Sequence, residues 1–312
     1  MSQSSMAQSS ISVVTGGAGF IGSHLVEALL RDGKRVRIVD DLSTGRRALV
    51  APEAEFLQGD VNGVAAEAVR GADVVYHLAA LPSVPRSVEK PLESHRATAE
   101  GTLAVLRAAE KAGVRRVVYA SSSSVYGDTP TLPKHESMAP RPLSPYAAAK
   151  LSGELYARYW GTNTPLETVS LRFFNVYGPR QDPDSPYAAV IPIFTRRLLA
   201  GEPMEVNGDG GQTRDFTFVR DVVCGLVRAG SAPGISGRVY NLAGGRPVSV
   251  REMAEALARL LGVPARMEFR PPRAGDIRDS FADVEAARRE LGFAARVPLE
   301  EGLRLTVEPL RR

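Results

Sequence analysis

The stretch Gly16-Gly17-Ala18-Gly19-Phe20-Ile21-Gly22 decides the predicted fold. It follows a β-branched run, Ile11 to Thr15, and leads into an amphipathic helical pattern, Ser23 to Leu30. At this spacing Gly16 permits a tight turn, Gly19 lets a pyrophosphate approach the backbone, and Gly22 lets the helix pack on the sheet. The helix N-terminus then faces the anion. We predict a dinucleotide-binding loop that includes Phe20 and Ile21, and a glycine-rich turn without a ligand is the alternative.

An acidic residue ends the next β-branched run. Asp40, with Asp41 beside it, is placed to accept hydrogen bonds from ribose hydroxyls and to repel a 2′-phosphate. This favours NAD as the cofactor, whereas Arg46 and Arg47 leave NADP open. Asp60 and Val61, at a later strand end, are predicted adenine contacts.

Short β-branched runs alternate with amphipathic helical patterns through the N-terminal half. The runs that we predict as strands are Ser12 to Thr15, Val36 to Asp40, Val74 to Leu78, Arg116 to Ser121 and Thr168 to Phe173. Strands that are apolar on both faces and separated by helices indicate a parallel sheet covered on both sides. The predicted class is therefore α/β, a doubly wound, Rossmann-type parallel sheet with a smaller C-terminal substrate-binding lobe.

The chain length favours two lobes with a cleft between them. We predict a disordered, Ser- and Gln-rich tail at residues 1–10 and a dinucleotide-binding domain at 11–174, completed by about 216–244. Residues 175–215 and 245–312 form the predicted substrate-binding lobe, with helices near Ala188 to Ala200, Val250 to Leu261 and Val284 to Leu291. Phe216 to Ala229 and Val239 to Ala243 are predicted as a helix and a strand that return to the large sheet.

Composition excludes several classes of function. The net charge is +4, but the arginines are scattered and no aromatic platform accompanies them, so we predict no nucleic acid partner. Four histidines and one cysteine show no metal-ligand spacing, and no apolar run is long enough to cross a bilayer. Cys224 lies in an apolar run and is predicted to fill the core. A single cysteine suits a reducing compartment, so we predict a cytoplasmic protein.

Tyr146 and Lys150 are four residues apart at the start of a helical pattern, so both side chains project from one face. A free tyrosine titrates near 10 and needs a neighbouring cation to act as a base at neutral pH. Lys150 and an oxidised nicotinamide would supply that charge. A hydroxyl from the run Ser121 to Ser124 would bridge the substrate oxygen and Tyr146, and a polar strand end is the alternative reading of this run.

At these residues the sequence resembles the extended short-chain dehydrogenase/reductases, and within them the nucleotide-sugar 4-epimerase type. The resemblance spans nearly the whole chain. Besides the glycine loop and Tyr146 to Lys150, the matching segments are Val75 to Ala80, Val125 to Gly127, Arg172 to Arg180 and Arg214 to Thr217. The first of these ends in Leu78, Ala79 and Ala80.

The resemblance implies site roles that the spacing alone does not give. It implies that Ser122 is the catalytic hydroxyl, and that serine at 123 and 124 argues against dehydration, because dehydrating relatives usually carry acids there. The cofactor contacts would include Leu78, Ala79 and Ala80. The implied substrate contacts are Ser83, Arg86, Asn175, Val190, Arg214, Arg273, Asp276 and Ser280. Of these, Arg214 and Arg273 would clamp the diphosphate, for which a planar guanidinium is suited.

The resemblance also bears on the sugar and on assembly. Ser280 stands where epimerases restricted to unacetylated hexoses carry tyrosine, which favours UDP-GlcNAc and UDP-GalNAc as substrates. Thr98 departs from the asparagine of many relatives. A homodimer through helices near Glu93 to Lys111 and Tyr146 to Tyr159 is expected by analogy. A dehydratase, a 4-ketoreductase, a UDP-glucuronate-type 4-epimerase and a redox-sensing binding protein are the alternatives.

Overall fold

One large parallel sheet carries the fold. A computed structural model describes residues 10–182, 189–272 and 277–310. The predicted tail therefore lies outside the described residues except for Ser10. Numbered in chain order, the strands are β1 (Ile11–Thr15), β2 (Arg35–Asp40), β3 (Glu55–Gln58), β4 (Ala72–His77), β5 (Arg116–Ser122), β6 (Glu167–Phe173), β7 (Val176–Tyr177), β8 (Met204–Asn207), β9 (Thr213–Arg214), β10 (Thr217–Phe218), β11 (Arg238–Leu242), β12 (Val248–Ser249), β13 (Met267–Arg270) and β14 (Asp279–Ser280).

Helices cover the sheet and build the smaller lobe. They are α1 (Phe20–Arg31), α2 (Val61–Ala68), α3 (Val84–Glu89), α4 (Pro91–His95), α5 (Gly101–Lys111), α6 (Pro145–Asn163), α7 (Val190–Leu199), α8 (Val219–Ala229), α9 (Val250–Leu261), α10 (Glu285–Leu291) and α11 (Leu299–Val307). A π-helical turn, Arg96–Glu100, joins α4 to α5, and a 3₁₀ turn, Ser123–Tyr126, follows β5.

Among the described residues, seven strands form the large sheet in the order β11-β6-β5-β4-β1-β2-β3, and every neighbouring pair is parallel. The order reverses between β1 and β4. Ligands of such sheets bind outside the carboxyl ends of the strands at this switch point. The glycine loop leaves β1 there, and Leu78 to Ala80 leave β4.

The α/β class and the doubly wound sheet are confirmed, as are the five predicted strands, whose ends shift by one or two residues. The strand predicted at Val239 to Ala243 is β11, which pairs with β6 at the sheet edge. The sequence analysis placed a strand end near Asp60 but gave no bounds for β3, which is short and only partly buried, and it missed α11. The proposed domain boundaries stay predictions.

The smaller lobe gathers short strands and helices from the C-terminal half. β9 lies between β12 and β14, and β8 pairs with β13. The predicted helix Val250 to Leu261 is α9, whose ends have clear local causes. Ser249 and Glu252 form a reciprocal capping box at its start, and Gly262, at φ 73°, ends it in the left-handed region. The remaining predicted helices are α7 and α10.

The core assignment of Cys224 is wrong. Cys224 is exposed, and its sulfur accepts a hydrogen bond from Arg228 Nε at 3.3 Å. The buried face of α8 carries Val219, Val222, Val223 and Leu226. These positions follow the i, i+3, i+4, i+7 spacing of one helix face, and position 224 lies off that face. Consecutive apolar residues in a helix therefore point to different faces, and not all of them are buried. Over the described ranges, the helices include none with the length and apolarity needed to cross a membrane.

Candidate active site

The glycine loop is shaped by close backbone contacts. Gly16 has φ +71°, and a Cβ there would lie 2.9 Å from the Ala79 nitrogen. A Cβ on Gly22 would lie 2.1 Å from the Gly16 carbonyl oxygen, so α1 packs on the loop only because Gly22 lacks a side chain. A Cβ on Gly19 would meet only the Gly16 oxygen, at 3.2 Å. The face of the loop beside Gly19 is thus clear of other protein atoms, which fits a bound phosphate.

Asp40 lies at the end of β2 and turns back toward the loop. Its carboxylate accepts hydrogen bonds from the Ala18 and Leu42 backbone N–H groups at 3.0 and 2.9 Å. Burial raises the pKa of Asp40, and these two hydrogen bonds oppose that shift. Asp41 is exposed, and its carboxylate accepts from the backbone and hydroxyl of Ser43. Asp40 is therefore the acid that lies beside the glycine loop.

The two arginines that left NADP open have other partners. Arg47 lies over the Phe56 ring, with its guanidinium carbon 4.3 Å from the centroid. Arg46 donates to the Arg180 carbonyl oxygen at 3.0 Å, and its backbone N–H donates to the Ala18 carbonyl. Neither guanidinium is held toward the Asp40 carboxylate. This arrangement supports NAD over NADP.

The remaining predicted cofactor contacts border the same loop or the next strand. Leu78 donates its backbone N–H to the Thr15 carbonyl, and Ala79 donates to the Thr15 hydroxyl at 3.2 Å. This places the end of β4 against the end of β1. Asp60 caps α2 by accepting from the Asn62 N–H at 2.9 Å, and Val61 is buried. Both residues thus have structural roles, and their contact with adenine stays a prediction.

Local sequence signals start helix α6 just before Tyr146. Ser144 caps the helix by accepting from the Ala147 N–H at 3.2 Å, and Pro145 occupies the first turn. Tyr146 and Lys150 therefore fall in the first two turns. The Lys150 ammonium nitrogen lies 6.0 Å from the Tyr146 ring centroid and donates to the Ala120 carbonyl at 2.7 Å.

The serine run meets this helix at the end of β5. The Ser122 hydroxyl oxygen accepts hydrogen bonds from the Ser124 N–H and hydroxyl at 3.2 and 2.9 Å. Ser122 also acts on Tyr146, since its hydroxyl lowers the pKa of that phenol. Ser122 is therefore the serine of the run that acts on the tyrosine, while the Ser121 hydroxyl donates to Glu154. Ser123 lies in the 3₁₀ turn beside them.

Burial acts on both ionisable groups. It raises the pKa of Tyr146 to about 12, against which the Ser122 hydrogen bond acts. Burial also lowers the pKa of Lys150 to about 7, while the negative charge of Glu154 raises it. In the protein alone both shifts favour the neutral forms. The expected phenolate therefore requires charge stabilisation beyond what Lys150 gives.

Strand β5 and helix α6 approach very closely at one point. The Tyr119 hydroxyl donates to the Lys150 carbonyl at 3.2 Å. A Cβ on Gly153 would lie 2.3 Å from the Tyr119 hydroxyl oxygen, so glycine is required there. His77 stacks on the Tyr119 ring, and burial lowers the pKa of His77 to about 3, which leaves its ring neutral. Thr98, the noted departure, is buried in the π-helical turn, where its carbonyl accepts from the Thr102 hydroxyl.

A cavity of about 270 Å³ lies in the smaller lobe, and its lining includes no residue of the seven large-sheet strands. Three of the predicted substrate contacts line it, namely Asn175, Val190 and Arg214. Its other lining residues are Val176, Tyr177, Gln181, Ala189, Ile191, Phe194, Glu205, Val206, Asn207, Gln212, Phe216 and Val250. Sequence reasoning missed Glu205 and Gln212, because no local pattern marks a residue on a short strand or turn as a cavity wall.

The other predicted substrate contacts lie elsewhere or are not described. Ser83 caps α3 by accepting from the Arg86 N–H, and the Arg86 guanidinium pairs with Glu93. Ser280 lies in β14, opposite Arg214 in the register of the small sheet. Arg273 and Asp276 lie outside the described residues, as do residues 183–188. The described residues include no cluster of three His, Cys, Asp or Glu side chains able to hold a metal.

Comparison with known proteins agrees with this geometry. Residues 12–243 match the model of the NAD dependent epimerase/dehydratase family. The chain is 43% identical over 310 residues to the UDP-glucose 4-epimerase of Mycolicibacterium smegmatis, covering 96% of this chain and 98% of that protein.

Two solved structures share the whole fold. One is the UDP-N-acetylglucosamine 4-epimerase from Methanobrevibacter ruminantium in complex with UDP-N-acetylmuramic acid, at 36% identity, with a TM-score of 0.93 and coverage of 97% and 98% of the two chains. The other is the UDP-glucose 4-epimerase of Thermotoga maritima with UDP-glucose, at 37% identity, with a TM-score of 0.93 and coverage of 96% and 98%.

These matches confirm the predicted family resemblance, NAD as the cofactor, and the enzyme class of an NAD-dependent sugar-nucleotide 4-epimerase. They do not select one sugar, since the named substrates of the relatives differ. The dehydratases share the same family model, so family membership alone does not separate them from epimerases. With a match over residues 12–243 and relatives aligned along nearly their whole length, the chain belongs to the NAD dependent epimerase/dehydratase family.

Proposed function

We propose that the protein interconverts UDP-GlcNAc and UDP-GalNAc by epimerisation at C4, and that UDP-glucose and UDP-galactose enter the same site. The observation that carries this proposal is the grouping of Tyr146 with Lys150, whose ammonium nitrogen lies 6.0 Å from the phenol ring centroid, and with Ser122, whose hydroxyl acts on the pKa of that phenol. This group lies at the carboxyl edge of β5, and the glycine loop lies at the same edge of the sheet. The proposed base and the cofactor site are therefore on the same side of the sheet, where both would act on the sugar C4–OH group.

NAD fits the residues at this edge. The Gly19 backbone and the first turn of α1 would hold its diphosphate, and Asp40 would hold the adenosine ribose. When bound, NAD⁺ supplies a positive charge near the phenol and accepts and returns the C4 hydride. The protein's own part is to hold both ligands in register.

Tyr146 is the proposed proton acceptor. Its phenol oxygen takes the proton from the sugar 4-hydroxyl, and Ser122 donates a hydrogen bond to the same sugar oxygen. Lys150 stabilises the charge that develops on Tyr146. The 4-keto sugar then turns about its link to the diphosphate, and Tyr146 returns the proton when the opposite face is reduced. One stereocentre is inverted.

Anchoring by the nucleotide lets the sugar turn without leaving. Arg214 lines the cavity and would donate to the diphosphate, with Asn175 beside it. The family resemblance assigns Arg273 to the diphosphate and Asp276 to the uridine ribose. We keep Ser83 and Arg86 as proposed sugar contacts on the same ground, although each has a structural partner in α3 or α4.

Ser280 supports the choice of an acetylated sugar, because a small side chain leaves room for a 2-acetamido group. We predict that Ser280→Tyr lowers kcat/KM for UDP-GlcNAc by about tenfold or more and leaves that for UDP-glucose within about twofold. The matched control is Ser280→Ala, which keeps the small size and should change neither substrate. Equal losses on both sugars in Ser280→Tyr would contradict this role.

The direct test is to incubate the purified protein separately with UDP-GlcNAc, UDP-glucose and UDP-glucuronate and to separate the products. We expect UDP-GalNAc from UDP-GlcNAc with no added cofactor and no net change in absorbance at 340 nm. A 4-ketoreductase would consume added NADH stoichiometrically, and a dehydratase would release a 4-keto-6-deoxy sugar. Conversion of UDP-glucuronate alone would move the assignment to the uronate epimerases.

The proposed assembly is a homodimer. Helices α3, α4 and α6 contact one another, and they carry exposed apolar side chains. These are Val84, Val88, Leu92, Leu155, Tyr156 and Tyr159. An exposed group of this size favours burial against a second copy. Light scattering should give twice the chain mass, and Leu92→Glu should shift it to the mass of one chain.

A further inference from the structure

Four consecutive residues of β5 interact with helix α6. Tyr119 donates to the Lys150 carbonyl, the Ala120 carbonyl accepts from the Lys150 ammonium, and the Ser122 hydroxyl acts on the pKa of Tyr146. The remaining residue, Ser121, is buried, and its hydroxyl donates to Glu154 Oε1 at 2.5 Å. Three of these contacts belong to the proposed chemistry. The contact between Ser121 and Glu154 has no part in it so far.

Glu154 belongs to a buried ion pair. Arg172 of β6 donates to it through two nitrogens, at 2.9 and 2.7 Å, and both side chains are 4% exposed. The guanidinium carbon of Arg172 also lies 4.5 Å from the Tyr126 ring centroid. Two charges removed from water at this depth are a poor source of stability, because desolvation offsets their attraction. Stability alone therefore does not explain why Arg172 and Glu154 are buried as an ion pair.

Its position relative to Lys150 supplies one. Glu154 is one helical turn after Lys150, so both side chains project from the same face of α6. Lys150 is anchored to Ala120, and Glu154 is anchored to Ser121, the next residue of the strand. We infer that Glu154 is a positioning residue for Lys150. The Glu154 carboxylate, fixed by Ser121 and Arg172, favours the charged form of the Lys150 ammonium beside the Ala120 carbonyl. The inference rests on the proposed function, in which Lys150 must carry charge.

The other groups around Lys150 do not replace this carboxylate. Tyr146 on α6 and Tyr119 on β5 are buried phenols with raised pKa values, so both are neutral near pH 7. His77 on β4 is also neutral there. Arg172 is a cation and opposes a second positive charge. Within the part of the chain that the structure describes, Glu154 is the anion whose charge acts on Lys150.

The sign of the effect separates this role from a purely structural one. Removing the negative charge of Glu154 should lower the titration midpoint of Lys150, and removing the positive charge of Arg172 should raise it. A loosened helix would let water reach Lys150, which raises its midpoint toward the ordinary lysine value in either variant. Only the charge effect lowers the midpoint in Glu154→Gln.

The chain is well suited to measuring this, because it contains five lysines, Lys34, Lys90, Lys111, Lys134 and Lys150. We would label the full-length protein with ¹³C at the lysine ε-carbon, assign the Lys150 signal with Lys150→Met, and titrate without substrate. The wild-type midpoint should be about 7. We expect it to fall by about one pH unit in Glu154→Gln and to rise in Arg172→Met.

Two controls are built into the chain. Lys134 is buried, its ammonium donates to Thr129, and its midpoint should not change in any variant. Glu167→Gln disturbs the pair that Glu167, at the amino end of β6, forms with the buried Arg116, and should leave the Lys150 midpoint as it is. If Glu154→Gln does not fold, Glu154→Gln/Arg172→Met is compared with Arg172→Met, and its midpoint must be lower.

A midpoint in Glu154→Gln that equals or exceeds the wild-type value overturns the inference, as does an equal or higher value in the double variant relative to Arg172→Met. Since the titration needs no substrate, an inactive wild-type protein would sink the proposed function and still leave this result readable. Where the wild type is active, Glu154→Gln should lose about tenfold in kcat at pH 8, and Glu154→Asp should recover part of it.

Discussion

Two arginine–glutamate pairs lie at opposite ends of strand β6, through Glu167 at its amino end and Arg172 near its carboxyl end. At the amino end, Arg116 is 2% exposed, but its partner Glu167 is 38% exposed, with nitrogen and oxygen 2.6 Å apart. At the carboxyl end, Arg172 and Glu154 are both 4% exposed, 2.7 Å apart. The Glu167 carboxylate can be hydrated when its arginine partner is lost, whereas the buried Glu154 carboxylate cannot.

The difference separates two uses of charge in one sheet. At the amino end, Arg116 also donates to the Ala229 carbonyl, which links the sheet to the end of α8. The carboxyl-end pair lies beside Ser121 and Lys150, where the strands meet the cofactor loop. Changes at the carboxyl end should therefore affect turnover and titration, whereas changes at the amino end should affect stability alone.

The largest expected effect is at the carboxyl end. Tyr146→Phe removes the proposed base and should lower kcat by roughly 10²- to 10⁴-fold, the usual range for a proton-transfer group. NAD and UDP binding, measured by calorimetry, should change little. Tyr240→Phe is the matched control, because that phenol bonds to Glu290 at the sheet edge, and its turnover should equal that of the wild type. Undiminished turnover in Tyr146→Phe would remove the base from the mechanism.

Replacing the arginine of each pair by methionine should lower the free energy of unfolding more at the carboxyl end than at the amino end. Arg172→Met leaves Glu154 buried and charged, and we expect it to lower the free energy of unfolding by about 3 kcal/mol. Arg116→Met leaves Glu167 near water and should cost about 1 kcal/mol. Urea denaturation of both variants at pH 7.5 measures the difference. Equal losses would mean that the depth of burial does not distinguish the pairs.

A smaller effect concerns pH. Burial lowers the pKa of Lys150 to about 7 in the folded chain, against an ordinary value of 10.5. Between these values the unfolded chain binds more protons than the folded chain, so this group makes stability rise as pH rises. The contribution is complete above 10.5 and is lost as pH falls toward 7. Unfolding free energies from pH 7 to 10 should rise less in Lys150→Met than in the wild type, and parallel curves would contradict the shift.

The sequence predicted best what neighbouring residues determine together. The glycine loop lies within seven residues, and Tyr146 and Lys150 share one helix, so local spacing fixes their geometry. The predicted sheet followed from runs that are apolar on both faces. For the same reason Ser144 and Pro145 mark the start of α6 in the sequence.

What sequence reasoning missed depends on contacts between distant segments. Arg172 meets Glu154 only because β6 lies beside β5 under α6, and the spacing of 18 residues carries no signal. The cavity joins Asn175 to Glu205 and Val250 in the same way. Cys224 was misplaced for a simpler reason, since hydrophobic neighbours in sequence were taken for neighbours on one helix face.

The absence of a side chain at position 153 also has a consequence for how this scaffold can diverge. Since the hydroxyl of residue 119 occupies the space that a methyl group would need, alanine at 153 is compatible only with a smaller residue at 119. The two positions should change together across sequences of this fold. A chain with alanine at 153 and tyrosine at 119 would push its helix outward and carry Tyr146 away from the strand.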